Sequence, residues 1–143
     1  MMNNRKLMLG VSAALLAITT LVMVGCATEE TPSQTIKDIT PREAFELIQK
    51  RQGSADFEII DVRTPEEFDG GHIENATLIN YYAADFEAQI ERLDKDRTYV
   101  IYCRSGGRSA GARETMRELG FREVHNVLGG IIRWTEEGFP VVE

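Results

Sequence analysis

The stretch Thr-Tyr-Val-Ile-Tyr-Cys-Arg-Ser-Gly-Gly-Arg-Ser, Thr98 to Ser109, constrains the fold more than any other part of the chain. Its β-branched and aromatic start, Thr98 to Tyr102, predicts a short buried strand that stops at Cys103, and a helical pattern begins near Ser109. A strand passing through a tight turn into a helix is the unit of a parallel α/β sheet, where ligands gather at the carboxyl ends of the strands. Cys103 stands at such an end. Gly106 and Gly107 let the turn curl with its N–H groups inward, and the turn runs into a helix N-terminus. A loop of this kind holds an anion.

The anion can be the thiolate of Cys103 itself. Inward amides, the positive helix end and the guanidinium groups of Arg104 and Arg108 all favour the ionised sulfur, lowering its pKa and making it a nucleophile near neutral pH. No neighbouring base is then needed. The competing reading is an inert buried cysteine at a strand end, for which two arginines and a Gly-Gly turn are poor company.

The rest of the domain alternates strand and helix. A strand around Ile36 to Ile39 leads to a capping box, Thr40 as N-cap, Pro41 at N1 and Glu43 at N3, and to a helix with Ala44, Phe45, Leu47 and Ile48 on its apolar face, ending near Gly53. Phe57 to Val62 predicts a buried strand closed by Asp61, and Thr64-Pro65-Glu66-Glu67 repeats the capping box for a short helix. Asp61 and Arg63 are read as an ion pair that fixes the loop beside the site rather than as acid and base. His72 is read as a packing and hydrogen-bonding residue at a strand entry. Ala76 to Asn80 is a further strand, and Phe86, Ile90 and Leu93 mark the helix after it, with Tyr81 and Tyr82 between them either at the pocket mouth or over the core. Ala112, Met116 and Leu119 form the buried stripe of the helix that follows the cysteine loop and stops at Gly120, while Arg113, Glu114, Arg117 and Glu118 make its solvated face. Glu123 to Leu128 is the last strand. Gly129 and Gly130 then allow close backbone approach to the cysteine turn, and a helix runs from Ile131 to about Glu137 with Trp134 in the core. Such alternation predicts a parallel sheet with right-handed crossovers.

The loop Cys103-Arg104-Ser105-Gly106-Gly107-Arg108-Ser109 resembles the active-site loop of the rhodanese family of sulfurtransferases. Asp61-Val62-Arg63-Thr64-Pro65-Glu66-Glu67-Phe68 with Gly71-His72-Ile73 and Asn75-Ala76 resembles the family's first signature, and Asn126, Gly129-Gly130-Ile131 and Trp134 resemble its closing one. The resemblance spans Thr35 to Glu143. It implies an α/β fold with a five-stranded, mainly parallel sheet and helices on both faces. It also implies sulfur transfer through a persulfide on Cys103, from thiosulfate or a similar small anionic donor to cyanide or a thiol, with the loop from Arg104 to Ser109 binding the donor and no cofactor. Arginine directly after the cysteine is similar to the thiosulfate-using members. Two other readings stand beside this one: a persulfide carrier or binding module with little turnover, and a phosphatase or arsenate reductase. The latter resemble Cys-x5-Arg, where this chain has Ser109 in the arginine position and a ring too tight for a tetrahedral oxyanion.

Composition narrows the partners. In 143 residues, 43% hydrophobic and 27% charged, the net charge is −7, which suits one globular domain with a small anionic substrate at a locally basic loop and speaks against a nucleic-acid partner. Arg5 and Lys6 precede a charge-free run from Leu7 to Gly25, the pattern of a secretory signal, with an uncleaved membrane anchor as the alternative. Met23-Val24-Gly25-Cys26 resembles a bacterial lipobox, which makes residues 1–25 a signal peptide, Cys26 the lipidated mature N-terminus and residues 26–34 a flexible tether to a domain over residues 35–143. That places the domain outside the cytoplasm, lipid-anchored to the cell envelope on its periplasmic face, at the outer membrane if there is one. With Cys26 lipidated, Cys103 is the remaining thiol, and two cysteines and two histidines without clustered spacing give no metal site.

Overall fold

The computed structural model describes residues 33–143, so the leader, Cys26 and most of the tether lie outside the described residues. Strands and helices alternate as β1 (Thr35–Ile39), α1 (Pro41–Arg51), β2 (Phe57–Asp61), α2 (Pro65–Asp69), β3 (Ala76–Leu78), α3 (Phe86–Glu91), β4 (Thr98–Tyr102), α4 (Gly107–Glu118), β5 (Glu123–Val127) and α5 (Gly130–Glu136). The five strands lie in the order β1-β5-β4-β2-β3, and every neighbouring pair is parallel.

β4 occupies the middle of that sheet and is buried along its whole length. Its side chains alternate between two cores. Tyr99, Ile101 and Cys103 pack on one face with Ile60, Phe86, Ile90, Ala112 and Met116, so α3 and α4 cover that side. Val100 and Tyr102 face the other way with Ala44, Ile48, Ile131 and Trp134, the side covered by α1 and α5. A sheet covered twice explains the near-continuous apolar runs of β2 and β4, since in such a sheet both faces of a strand are dry.

Both predicted capping boxes are present. The Thr40 hydroxyl accepts from the Glu43 amide at 3.2 Å while the Glu43 carboxylate accepts from the Thr40 amide at 2.7 Å. Thr64 and Glu67 repeat the exchange at 3.3 and 3.1 Å. Two orphan donors at each helix start are thereby satisfied.

Two boundaries differ from the sequence reading in ways that matter. α4 begins at Gly107, earlier than expected, because Gly106 takes φ of 104° and closes the turn by itself, which makes Ser109 a residue of the helix's first turn. Gln34, read as the last residue of the tether, is docked: its side-chain amide donates to the carbonyls of Arg117 and Phe121, both at 2.9 Å. The Thr35 amide beside it donates to Arg122 at 2.6 Å.

Candidate active site

β4 delivers Cys103 to the carboxyl edge of the sheet, and the turn that follows folds back over it. The Gly106 amide donates to the sulfur at 3.0 Å. The Ser109 hydroxyl lies 3.4 Å from the sulfur and 3.2 Å from the Gly106 carbonyl, so its one proton is shared between them. Burial pushes the thiol's pKa up, but the Ser109 hydroxyl and the amides of Ser109, Gly106 and Ser105 together outweigh burial and leave it below the ordinary value. Neutral main-chain and hydroxyl donors are the groups that lower this thiol's pKa.

The sulfur sits deeper than the sequence suggests. Cys103 is 1% exposed, on the floor of the turn, and the exposed residues above it are Arg104, Ser105 and Gly107.

The turn is fastened from beneath. The carbonyls of Cys103 and Arg104 accept from the Ile131 and Ile132 amides at 2.9 and 3.1 Å. Gly130 makes that approach possible, since a Cβ there would stand 2.3 Å from the Cys103 carbonyl oxygen, and its φ is 58°. The close approach expected of the Gly129-Gly130 pair is therefore present.

The two loop arginines, expected to act together on the thiolate and on an anion, are divided. Arg104 is exposed and makes no ion pair among the described residues. Arg108 is engaged: its guanidinium grips Glu67 through two bonds of 2.7 and 2.8 Å, with its carbon 5.4 Å from the centre of the Tyr82 ring. The Arg108 hydrogen bonds hold the Glu67 carboxyl down at about 2, and Glu67 in turn raises Arg108. Glu67 is the site residue that sequence reasoning missed. Its place in the capping box accounted for it locally, although one of its oxygens, Oε2, serves both Thr64 and Arg108.

Asp61 and Arg63 form the expected ion pair, and it is buried. The guanidinium donates to both carboxylate oxygens at 2.6 to 3.0 Å and to the Gly71 carbonyl at 2.8 Å, tying the end of β2 to the turn after α2. Tyr102 lies beneath Arg63 at 5.6 Å, and burial keeps its phenol protonated. His72 packs as expected: its ring stacks on Phe68 at 3.7 Å and its Nδ1 lies 3.1 Å from the Phe68 carbonyl. The two tyrosines left open separate, Tyr81 packing edge-on to Phe86 and Tyr82 standing 68% exposed at the rim. Trp134 is core, 1% exposed, donating to Pro140 at 2.9 Å.

Beside the loop runs a groove of about 320 Å³ whose walls include Arg63, Glu67, Arg104, Ile132 and Val141. Among the described residues no three of His, Cys, Asp and Glu come together as metal ligands would.

Residues 41–137 match the rhodanese-like domain family. The chain belongs to that family. Among rhodanese-like relatives, "Probable adenylyltransferase/sulfurtransferase MoeZ" of Mycobacterium tuberculosis is 36% identical over 102 residues, 71% of this chain but 25% of that protein, so the chain spans only a quarter of its length. Thiosulfate sulfurtransferase GlpE of Coxiella burnetii is 34% identical over 98 residues, 68% of this chain and 86% of that protein. The crystal structure of a rhodanese-related protein from Thermoplasma volcanium superposes with a TM-score of 0.64 at 33% identity, covering 74% of this chain and 97% of that one. The rhodanese-like fold, expected from the loop and the two signatures, is the fold observed.

Proposed function

We propose that this rhodanese-like chain is a thiosulfate sulfurtransferase working through a persulfide on Cys103. The observation that carries the reading is the ring of donors closed on the sulfur, Gly106 N–H at 3.0 Å and Ser109 O–H at 3.4 Å, with the loop amides lowering its pKa. The Cys103 thiolate attacks the outer sulfur of thiosulfate; the bond between that sulfur and the sulfonate sulfur breaks, its electron pair leaves as sulfite, and Cys103 carries a persulfide anion. The donors that hold the thiolate then hold the persulfide, as a preorganised anion hole does. Arg104, exposed at the rim, meets the sulfonate end of the donor. In the second step a thiolate or cyanide attacks the terminal sulfur, leaving with it as a persulfide or thiocyanate and returning the Cys103 thiolate. Thiosulfate as donor draws support from the Coxiella burnetii relative.

A second reading, a persulfide carrier that discharges to one partner, gains support from the 1% exposure of Cys103, which protects a bound sulfur from casual acceptors. A phosphatase is disfavoured: Ser109 stands where that chemistry places its arginine, and Arg108 is gripped by Glu67 instead of closing a ring.

Export with a lipid anchor at Cys26 is part of the proposal. It rests on the charge-free run Leu7 to Gly25 behind Arg5 and Lys6 and on the Val24-Gly25-Cys26 ending.

Intact-mass measurement after thiosulfate tests the first step. One added sulfur on the parent protein and none on Cys103→Ser is expected; an unchanged parent mass overturns the proposal. Rapid thiosulfate-to-cyanide turnover separates the enzyme from the carrier, whose persulfide would persist.

A further inference from the structure

Three arginines stand around the Cys103 loop, and two of them are neutralised. Arg63 is held by Asp61 in a pair whose side chains are 6% and 0% exposed. Arg108 is held by Glu67 in a pair 15% and 26% exposed, its donors aligned on both carboxylate oxygens. Of these three only Arg104 is left to meet an incoming anion, and on the sulfur-transfer reading it does so beside a thiolate. A thiolate and a dianion repel strongly, and each cation removed from the mouth raises that cost in proportion to the donor's charge.

We infer that Glu67 is a specificity-determining residue: by occupying Arg108 it holds back doubly charged sulfur donors such as thiosulfate more than singly charged ones, and so sets how strongly the site distinguishes donors by charge. This rests on the sulfur-transfer reading of Cys103 given above. Glu67 makes no hydrogen bond to the sulfur and is bonded to Arg108 of the cysteine loop, so it acts through that arginine. It stays ionised throughout the neutral range, so its effect is constant there rather than a pH switch.

The test compares two donors that deliver the same sulfur by the same bond cleavage but differ in charge. Thiosulfate is a dianion that releases sulfite; methanethiosulfonate is a monoanion that releases methanesulfinate. In each case the Cys103 thiolate takes the outer sulfur and the leaving group takes the bonding pair. Glu67→Gln keeps an acceptor for the Thr64 amide, because glutamine also completes a capping box, while removing the charge that neutralises Arg108. Rates of persulfide formation are read by quenched intact-mass analysis. The variant is expected to gain about tenfold with thiosulfate and about threefold with methanethiosulfonate, since an added cation acts on two charges in one case and one in the other.

Two further variants separate charge from structure. Glu67→Gln with Arg108→Gln restores the parent's local charge and is expected to restore its ratio of rates for the two donors. Thr64→Ala weakens the cap of α2 but leaves the ion pair, and is expected to keep the parent ratio. Equal changes with both donors in Glu67→Gln, in either direction, or a ratio that Thr64→Ala also shifts, overturn the assignment of charge selection to Glu67. If no variant and not the parent gains a sulfur from either donor, the sulfur-transfer reading itself has failed, and this inference with it.

Discussion

At the scale of the residue, the ionisation of Cys103 rests on one side-chain hydroxyl as well as on main-chain amides. Ser109→Ala removes that hydroxyl and leaves the amides in place, so the midpoint of thiolate formation is expected to rise by about one pH unit. The rate of iodoacetamide alkylation of Cys103 against pH measures it. In the parent, whose thiol pKa is lowered, reactivity is expected to persist below the ordinary thiol range and fall as pH drops through the shifted value. An unmoved midpoint in Ser109→Ala would mean that the amides suffice. Asp61→Asn belongs to the same scale: it strands the Arg63 guanidinium, 5% exposed, without its counter-charge, and is expected to cost about 3 to 5 kcal/mol in urea unfolding.

At the scale of the element, the turn after β4 is gripped between Gly106 and Gly130. Gly130→Ala would drive a methyl group into the Cys103 and Arg104 carbonyls, and is expected to cost about 3 kcal/mol and to slow persulfide formation. Gly120→Ala offers a control, also at positive φ, with nothing within 4 Å of the added atom. There the expected cost is about 1 kcal/mol, with persulfide formation unchanged. Equal losses at the two positions in matched unfolding curves would remove the steric role of Gly130. The elements themselves were largely legible in the sequence because their signals are local. Thr40 with Glu43, and Thr64 with Glu67, lie within one helical turn, and the buried run of β4 is read directly from five residues. What stayed hidden is non-local. The grip of Glu67 on Arg108 joins residues 41 apart in sequence, and a glutamate already explained by its own helix gives no sign of a second partner. The depth of Cys103 was hidden for the same reason, since it depends on how far the turn closes rather than on which residues compose it.

At the scale of the whole molecule, carboxylates paired in the fold set its acid limit. Asp38, Glu43, Asp56, Glu67, Glu114 and Glu123 all have lowered pKa values, Glu67 reaching about 2 from an ordinary 4.5. Each binds protons more readily when unfolded, so the stability they contribute is complete above about pH 5 and is lost as pH falls through the folded-state values. Thermal midpoints measured downward from pH 6 are expected to be level at first and then to fall steeply below about pH 4; a flat profile to pH 2 would show that these pairs contribute little. The hydrogen bonds from Ile131 and Ile132 to the carbonyls of Cys103 and Arg104 carry a consequence for synthesis. A chain ended before Ile131 lacks those two donors, so the backbone that carries the nucleophile loses its clamp. The turn is locked only once the tail of the domain has arrived, although the sulfur's own donors, Gly106 and Ser109, lie within six residues of it.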